Sequence, residues 1–161
     1  MIRDISIVIP IYNEQDNIVQ LIREVIATLE KKINFEIIIV DDGSDDKTYE
    51  VVNKIKKINK NISLISHKKN YGQSIGLRTG IIRANNEYIV TLDGDGQNDP
   101  RDILKLIKSF DTKVNYMMVI GNRVNRIDTI AKKVASRLAF QIRKLLLKDT
   151  TPDTGCAVKV F

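Results

Sequence analysis

Cysteine and histidine occur once each, as Cys156 and His67, in a chain of 161 residues. One cysteine excludes an internal disulfide, and one histidine leaves neither a His/Cys zinc site nor a Ser-His-Asp triad without His67 itself. A metal here would need carboxylates. Only 8 glycines and 3 prolines, with 43% hydrophobic and 29% charged residues, exclude collagen-like, low-complexity and disordered chains. No apolar run reaches the roughly 18 residues of a membrane-crossing helix, and residues 1–10 lack the basic and long apolar regions of a signal peptide. The expectation is an intracellular chain that does not span a membrane. The length predicts one domain, 1–161, burying about two thirds of the surface that its unfolded form exposes.

Acidic residues are scarce in one segment. Between Asn122 and Lys148 stand Arg123, Arg126, Lys132, Lys133, Arg137, Arg143, Lys144 and Lys148 against one acid, Asp128, so the net charge of +6 is concentrated there. Such a confined excess points to a local anionic partner, a phosphate or a membrane surface, and away from a nucleic-acid-binding chain.

Short runs rich in Ile and Val, Ile5–Pro10, Phe35–Val40, Ile62–Ser66, Glu87–Leu92 and Tyr116–Ile120, read as buried strands. Helical spacing lies between them, as in Ile18, Leu21, Ile22, Val25, Ile26 and Leu29, then Val52, Ile55 and Ile58, then Ile103, Leu106, Ile107 and Phe110. Alternation of this kind predicts an α/β fold with a mainly parallel sheet and ligands at the carboxyl ends of its strands. There the chain places Asp41, Asp42, Asp45, Asp46, Asp93, Asp95 and Asp99, seven aspartates on one edge. Asp45, Asp46 and Asp99 suit helix caps. Asp41, Asp42, Asp93 and Asp95 abut strand ends and repel one another unless a cation or hydrogen-bond donors offset them.

Neither a dinucleotide-binding G-x-G-x-x-G nor a P-loop is present. The run from Asp93 is no calcium loop, because Asn98 stands where glycine and Leu104 where glutamate is needed. A haloacid-dehalogenase phosphatase would carry D-x-D after its first strand, whereas here it follows the fourth, with Gln97 at the fifth position. Asp93 and Asp95 better suit a hard cation that in turn holds a diphosphate.

Seven motifs follow one another: P-I-Y-N-E at Pro10–Glu14, V-D-D-G-S at Val40–Ser44, N-Y-G at Asn70–Gly72, R-T-G at Arg78–Gly80, L-D-G-D-G-Q at Leu92–Gln97, G-N-R at Gly121–Arg123 and D-T-G-C at Asp153–Cys156. Together they resemble family 2 glycosyltransferases of GT-A fold, in the branch of dolichyl-phosphate mannose synthase and bacterial polyprenyl-phosphate glycosyltransferases. The resemblance implies a three-layer α/β/α sandwich, with a nucleotide-sugar-binding part at 1–100 and an acceptor-side part at 101–161. It places Pro10, Tyr12, Glu14, Val40, Asp41, Asp42, Gly94, Asp95 and Gln97 around a UDP- or GDP-linked sugar. Asp93, Asp95 and Gln97 would hold Mg²⁺ or Mn²⁺, with Asp93 and Asp95 as the catalytic pair. Tyr12 offers a stacking face or packs on the first helix, and Arg78 contacts phosphate or is solvated. Gly76 and Gly80 allow a helix close to the sheet.

The lipid-phosphate acceptor of this branch is already ionised and demands no strong base, which leaves His67 a strand-end or loop residue and Cys156 a small buried one. Ile130, Val134, Leu138, Ile142 and Leu145 mark an amphipathic helix whose basic face includes Arg126, Lys133, Arg137 and Lys144. By resemblance Arg123, Lys132, Ser136 and Arg137 bind acceptor phosphate, Lys132 standing where the family has arginine. The same helix would attract the cytoplasmic face of a membrane. A strand at Ala157–Phe161 ends the chain short of family length; left as a sheet edge, it would invite a homo-oligomer. The alternative reading is a catalytically silent nucleotide-sugar-binding module.

Overall fold

The computed structural model describes residues 2–110, 118–121, 141 and 156–161. Its elements run β1 (Asp4–Ile11), α1 (Ile18–Leu29), β2 (Asn34–Asp41), α2 (Thr48–Ile58), β3 (Ile62–Ser66), α3 (Gln73–Ile82), β4 (Tyr88–Thr91), α4 (Arg101–Ser109), β5 (Val119–Ile120) and β6 (Lys159–Val160). They follow the expected alternation. The basic segment from Asn122 to Lys148 lies outside the described residues save Gln141.

Among the described residues one sheet holds six strands, in the order β3-β2-β1-β4-β6-β5. The pairs β1–β2, β2–β3 and β1–β4 are parallel, and β6 runs antiparallel to both β4 and β5. The C-terminal strand is therefore not an edge, contrary to the expectation: β6 is inserted between β4 and β5, and Phe161 exchanges main-chain bonds of 2.7 and 3.0 Å with Ile89.

β1 is buried from Ile5 to Ile11 because helices cover both faces. Side chains alternate along a strand. Ile5, Ile7, Ile9 and Ile11 join Leu21, Ile22 and Val25 of α1, Val52 of α2 and Ile103 of α4 in the larger core. Val8 turns the other way and, with Ile38 and Val40, packs under Leu77 and Ile81 of α3. This is the three-layer arrangement, and among the described residues no helix is long and apolar enough to cross a membrane.

Helix α3 approaches the sheet on its glycines. A Cβ at Gly80 would stand 2.3 Å from Val8 Cγ1, and one at Gly76 would stand 3.0 Å from Pro10 Cβ. Both glycines are buried, so a side chain would push α3 away from β1. Gly80→Ala should destabilise the protein by about 1–3 kcal/mol through overpacking, measured by urea unfolding. An unchanged midpoint would mean that α3 yields at no cost.

Candidate functional site

Strands β2 and β3 lie to one side of β1 and β4 to the other, so the chain reverses direction of growth at β1. A crevice outside the carboxyl ends is expected at such a point. One opens there, a cavity of about 330 Å³ lined by Pro10, Ile11, Tyr12, Glu14, Asp42, Asn70, Gly72, Gln73, Asp93, Gly94 and Asp95.

Reciprocal bonds lace the loop after β1 to the loop after β2. Asn13, in the left-handed region at φ 56°, donates its N–H to Ser44 Oγ (2.9 Å) and accepts at Oδ1 from the N–H of Asp45 (3.0 Å). The N–H of Glu14 donates to Thr48 Oγ1 (2.8 Å), and the N–H of Lys47 to Gln15 Oε1 (3.0 Å). Asp46 accepts from the N–H groups of Thr48 (2.8 Å), the first residue of α2, and of Gln15 (3.3 Å), so the bond at the helix start also ties the loops together. Burial raises its carboxyl, but the Thr48 and Gln15 bonds outweigh that and hold it below the usual value. Asp99 takes the N–H of Arg101 (2.9 Å), the first residue of α4, and pairs with the Arg101 guanidinium (2.7 Å).

Asp41 and Asp42 are both buried, with different partners. Asp41 Oδ1 accepts from the hydroxyl and N–H of Ser44, closing its own turn. Asp42 reaches across to the segment before α3. Its Oδ1 lies 2.6 Å from His67 Nδ1, and its oxygens accept from the N–H groups of Tyr71 (3.0 Å) and Gly72 (2.7 Å). His67 Nε2 lies 3.0 Å from Thr79 Oγ1, so both ring nitrogens are engaged and His67 does not line the cavity. Burial pushes the Asp42 carboxyl up; the bonds from His67, Tyr71 and Gly72 overcome this and hold it below 3.8.

The D-x-D lies opposite. Asp93 and Asp95 are half-buried, and Asp93 Oδ1 accepts from Gln73 Nε2 at 2.6 Å. The N–H of Gln97 donates to Asp95 Oδ1 (3.0 Å). Between them Gly94 is buried, where a Cβ would meet Ile11 Cγ2 at 2.4 Å, so glycine lets this loop lie against the end of β1.

Of the residues expected around the donor, Pro10, Tyr12, Glu14, Asp42, Asp93, Gly94 and Asp95 share this cavity. Val40, Asp41 and Gln97 do not line it. Val40 is buried beneath α3, and exposed Gln97 lines a separate opening with Glu24, Asn98 and Arg101. Arg123, Lys132, Ser136 and Arg137 lie outside the described residues. Tyr12 is 42% exposed, a free face and not a packed aromatic, and Arg78 is exposed. Cys156 is buried, as expected. Sequence reasoning missed Gln73 and the pairing of His67; Asn70 and Gly72 lay inside a noted motif without a role.

The sequence model of glycosyl transferase family 2 matches residues 6–161. The chain belongs to that family. An undecaprenyl-phosphate 4-deoxy-4-formamido-L-arabinose transferase of Photorhabdus laumondii is 33% identical over 99% of the chain and 49% of the relative's length. The transferase of that name from an Enterobacter strain is 34% identical, with the same coverage. The chain thus spans about half the length of the curated relatives it matches. Among solved structures, the Pyrobaculum calidifontis mannosyltransferase in complex with GDP-Man and Mn²⁺ superposes with a TM-score of 0.70 at 20% identity, over 99% of this chain and 44% of that one. Glucosyl-3-phosphoglycerate synthase of Mycobacterium tuberculosis, in complex with UDP, gives 0.72 at 20% identity, over 98% and 56%. The fold of this family 2 domain is GT-A.

Asp42 carries a pH-dependent share of its stability. Its folded value lies below its unfolded one, so its contribution is present above about pH 4 and is lost as pH falls through the folded value. Asp42→Asn should cost about 1–3 kcal/mol at pH 7 by urea unfolding. The gap to wild type should narrow below pH 4; a gap independent of pH would refute the assignment.

Proposed function

We propose that this chain is the catalytic domain of a metal-dependent inverting glycosyltransferase, moving a sugar from a UDP- or GDP-linked donor to a polyprenyl phosphate. The observation that carries the metal dependence is the sign of the cavity. Its lining includes Glu14, Asp42, Asp93 and Asp95 and, among the described residues, no lysine or arginine. A diphosphate entering such a lining meets like charge unless a cation comes with it.

Asp93 and Asp95 fit that need. They offer oxygen alone, and no group of three or more His, Cys, Asp or Glu among the described residues forms a complete protein site. Mg²⁺ and Mn²⁺ are commonly held by one or two carboxylates plus substrate phosphates. Asp93 and Asp95 would hold the divalent ion, which would supply positive charge to offset that on the departing nucleoside diphosphate. Gln97 bears on it through its N–H on Asp95. Tyr12 and Glu14 serve the base and ribose, Tyr12 by stacking and Glu14 by accepting hydrogen bonds; Asp42, whose oxygens already take three donors, mainly shapes the pocket. The named relatives act on undecaprenyl phosphate, and Arg123, Lys132, Ser136 and Arg137 are the residues proposed for the acceptor phosphate, at the cytoplasmic face of the membrane. An ionised acceptor needs no general base, in keeping with a lone histidine already bonded at both nitrogens.

Calorimetry with UDP and GDP in Mn²⁺, Mg²⁺ and EDTA tests this. One nucleotide should bind only with metal, and Asp95→Ala should weaken it at least about tenfold. Equal binding in EDTA would overturn the metal assignment, and metal-dependent binding without transfer to a polyprenyl phosphate would identify a silent binding module.

A further inference from the structure

We infer that Gln73 is a positioning residue for the metal-binding carboxylate Asp93, and that Asp42 and His67 act on that carboxylate through it. The inference rests on the donor-site reading above and extends it to residues outside the D-x-D. Gln73 is the first residue of α3, and its amide reaches Asp93 Oδ1 at 2.6 Å. The two residues before it, Tyr71 and Gly72, give their N–H groups to Asp42 at 3.0 and 2.7 Å. Nothing in the side chain of Gly72 fixes the start of this helix, and its backbone is left-handed at φ 93°. The buried Asp42 carboxylate does so, together with Asn70 Oδ1, which also accepts from the Gly72 N–H (2.9 Å); Asp42 is braced by His67, which is braced in turn by Thr79, about 1.7 turns down the same helix. A chain of bonds thus runs from Thr79 through His67 and Asp42 to Tyr71 and Gly72, the residues that lead into α3, and the next residue, Gln73, carries it on to Asp93.

A residue that hydrogen-bonds to a metal's ligand typically changes metal affinity by about 10–100-fold when removed. The amide suits the task, because it donates a hydrogen bond without adding positive charge that would compete with a cation.

The test reads the Mn²⁺ concentration that gives half-maximal binding of UDP or GDP, whichever the wild type binds, alongside thermal unfolding. Gln73→Ala should raise that concentration about tenfold or more while nucleotide binding at saturating Mn²⁺ stays within about twofold. Ser74→Ala, one residue on and also exposed, should change neither. His67→Ala should raise the requirement severalfold, and His67→Asn, whose Nδ2 takes about the place of Nδ1, should restore it. The double variant Gln73→Ala/His67→Ala should need no more Mn²⁺ than Gln73→Ala alone. A Gln73→Ala curve that coincides with wild type overturns the inference while leaving the donor site standing. Full additivity of the two substitutions overturns the linkage to His67. A wild type that binds neither nucleotide with metal overturns the donor-site reading, and the inference with it.

Discussion

Carboxylates collected at one edge of a sheet repel one another, and each must be met by donors, by an opposite charge or by a cation if the edge is to hold together. The cleft is arranged around how this is done. Asp41 is met by Ser44, Asp46 by Thr48 and Gln15, Asp99 by Arg101, and Asp42 by His67 and two N–H groups. Each of these bonds also fixes a loop or the start of a helix. The structural aspartates therefore build the frame in which Asp93 and Asp95 stand half-buried at the cavity.

Helix α3 is where this framework carries most. Two of its ten residues are glycine, each costing about 1 kcal/mol of intrinsic helix preference relative to alanine. Those glycines are what allow the helix to pack on Val8 and Pro10, so the cost cannot be designed away without losing the contact. The region is secured instead from both ends by acids on β2 or just after it. Asp42 holds Tyr71 and Gly72 at the site end. At the far end Glu36 accepts from Ser6 Oγ (2.6 Å) and from the N–H and side-chain amide of Asn85 (2.7 and 2.8 Å). Burial raises the Glu36 carboxyl, yet the Ser6 and Asn85 bonds hold it below its usual value, as happens at Asp42.

Much of this was legible in sequence because it depends on local periodicity. Runs rich in Ile and Val placed β1 to β4 and helical spacing placed α1, α2 and α4, whereas α3 was signalled only by the spacing of Gly76 and Gly80; Asp46 and Asp99 were readable as acids at the starts of helices. What escaped depends on separation along the chain, on where an element ends or on sheet order. Asp42 meets His67 across 25 residues and Gln73 meets Asp93 across 20, pairings that no periodicity encodes. Val40 and Asp42 both belong to V-D-D-G-S and fall two residues apart, yet Val40 is still within β2 beneath α3, whereas Asp42 lies past the strand's end, where it lines the cavity. The insertion of β6 between β4 and β5 was likewise invisible, since a strand is read from its composition while its neighbours are decided by topology.

The choice of a neutral amide to steady Asp93 follows from the same electrostatics. A lysine at position 73 would also hold the carboxylate and would bind it more strongly than an amide does. It would, however, offset the charge that would draw the proposed divalent ion and would compete with that ion for the same oxygens. Glutamine orients Asp93 and leaves its full negative charge in place. Glutamine thus orders the carboxylate without adding a cation of its own, which is what the proposed dependence of an anionic donor on a divalent ion would require.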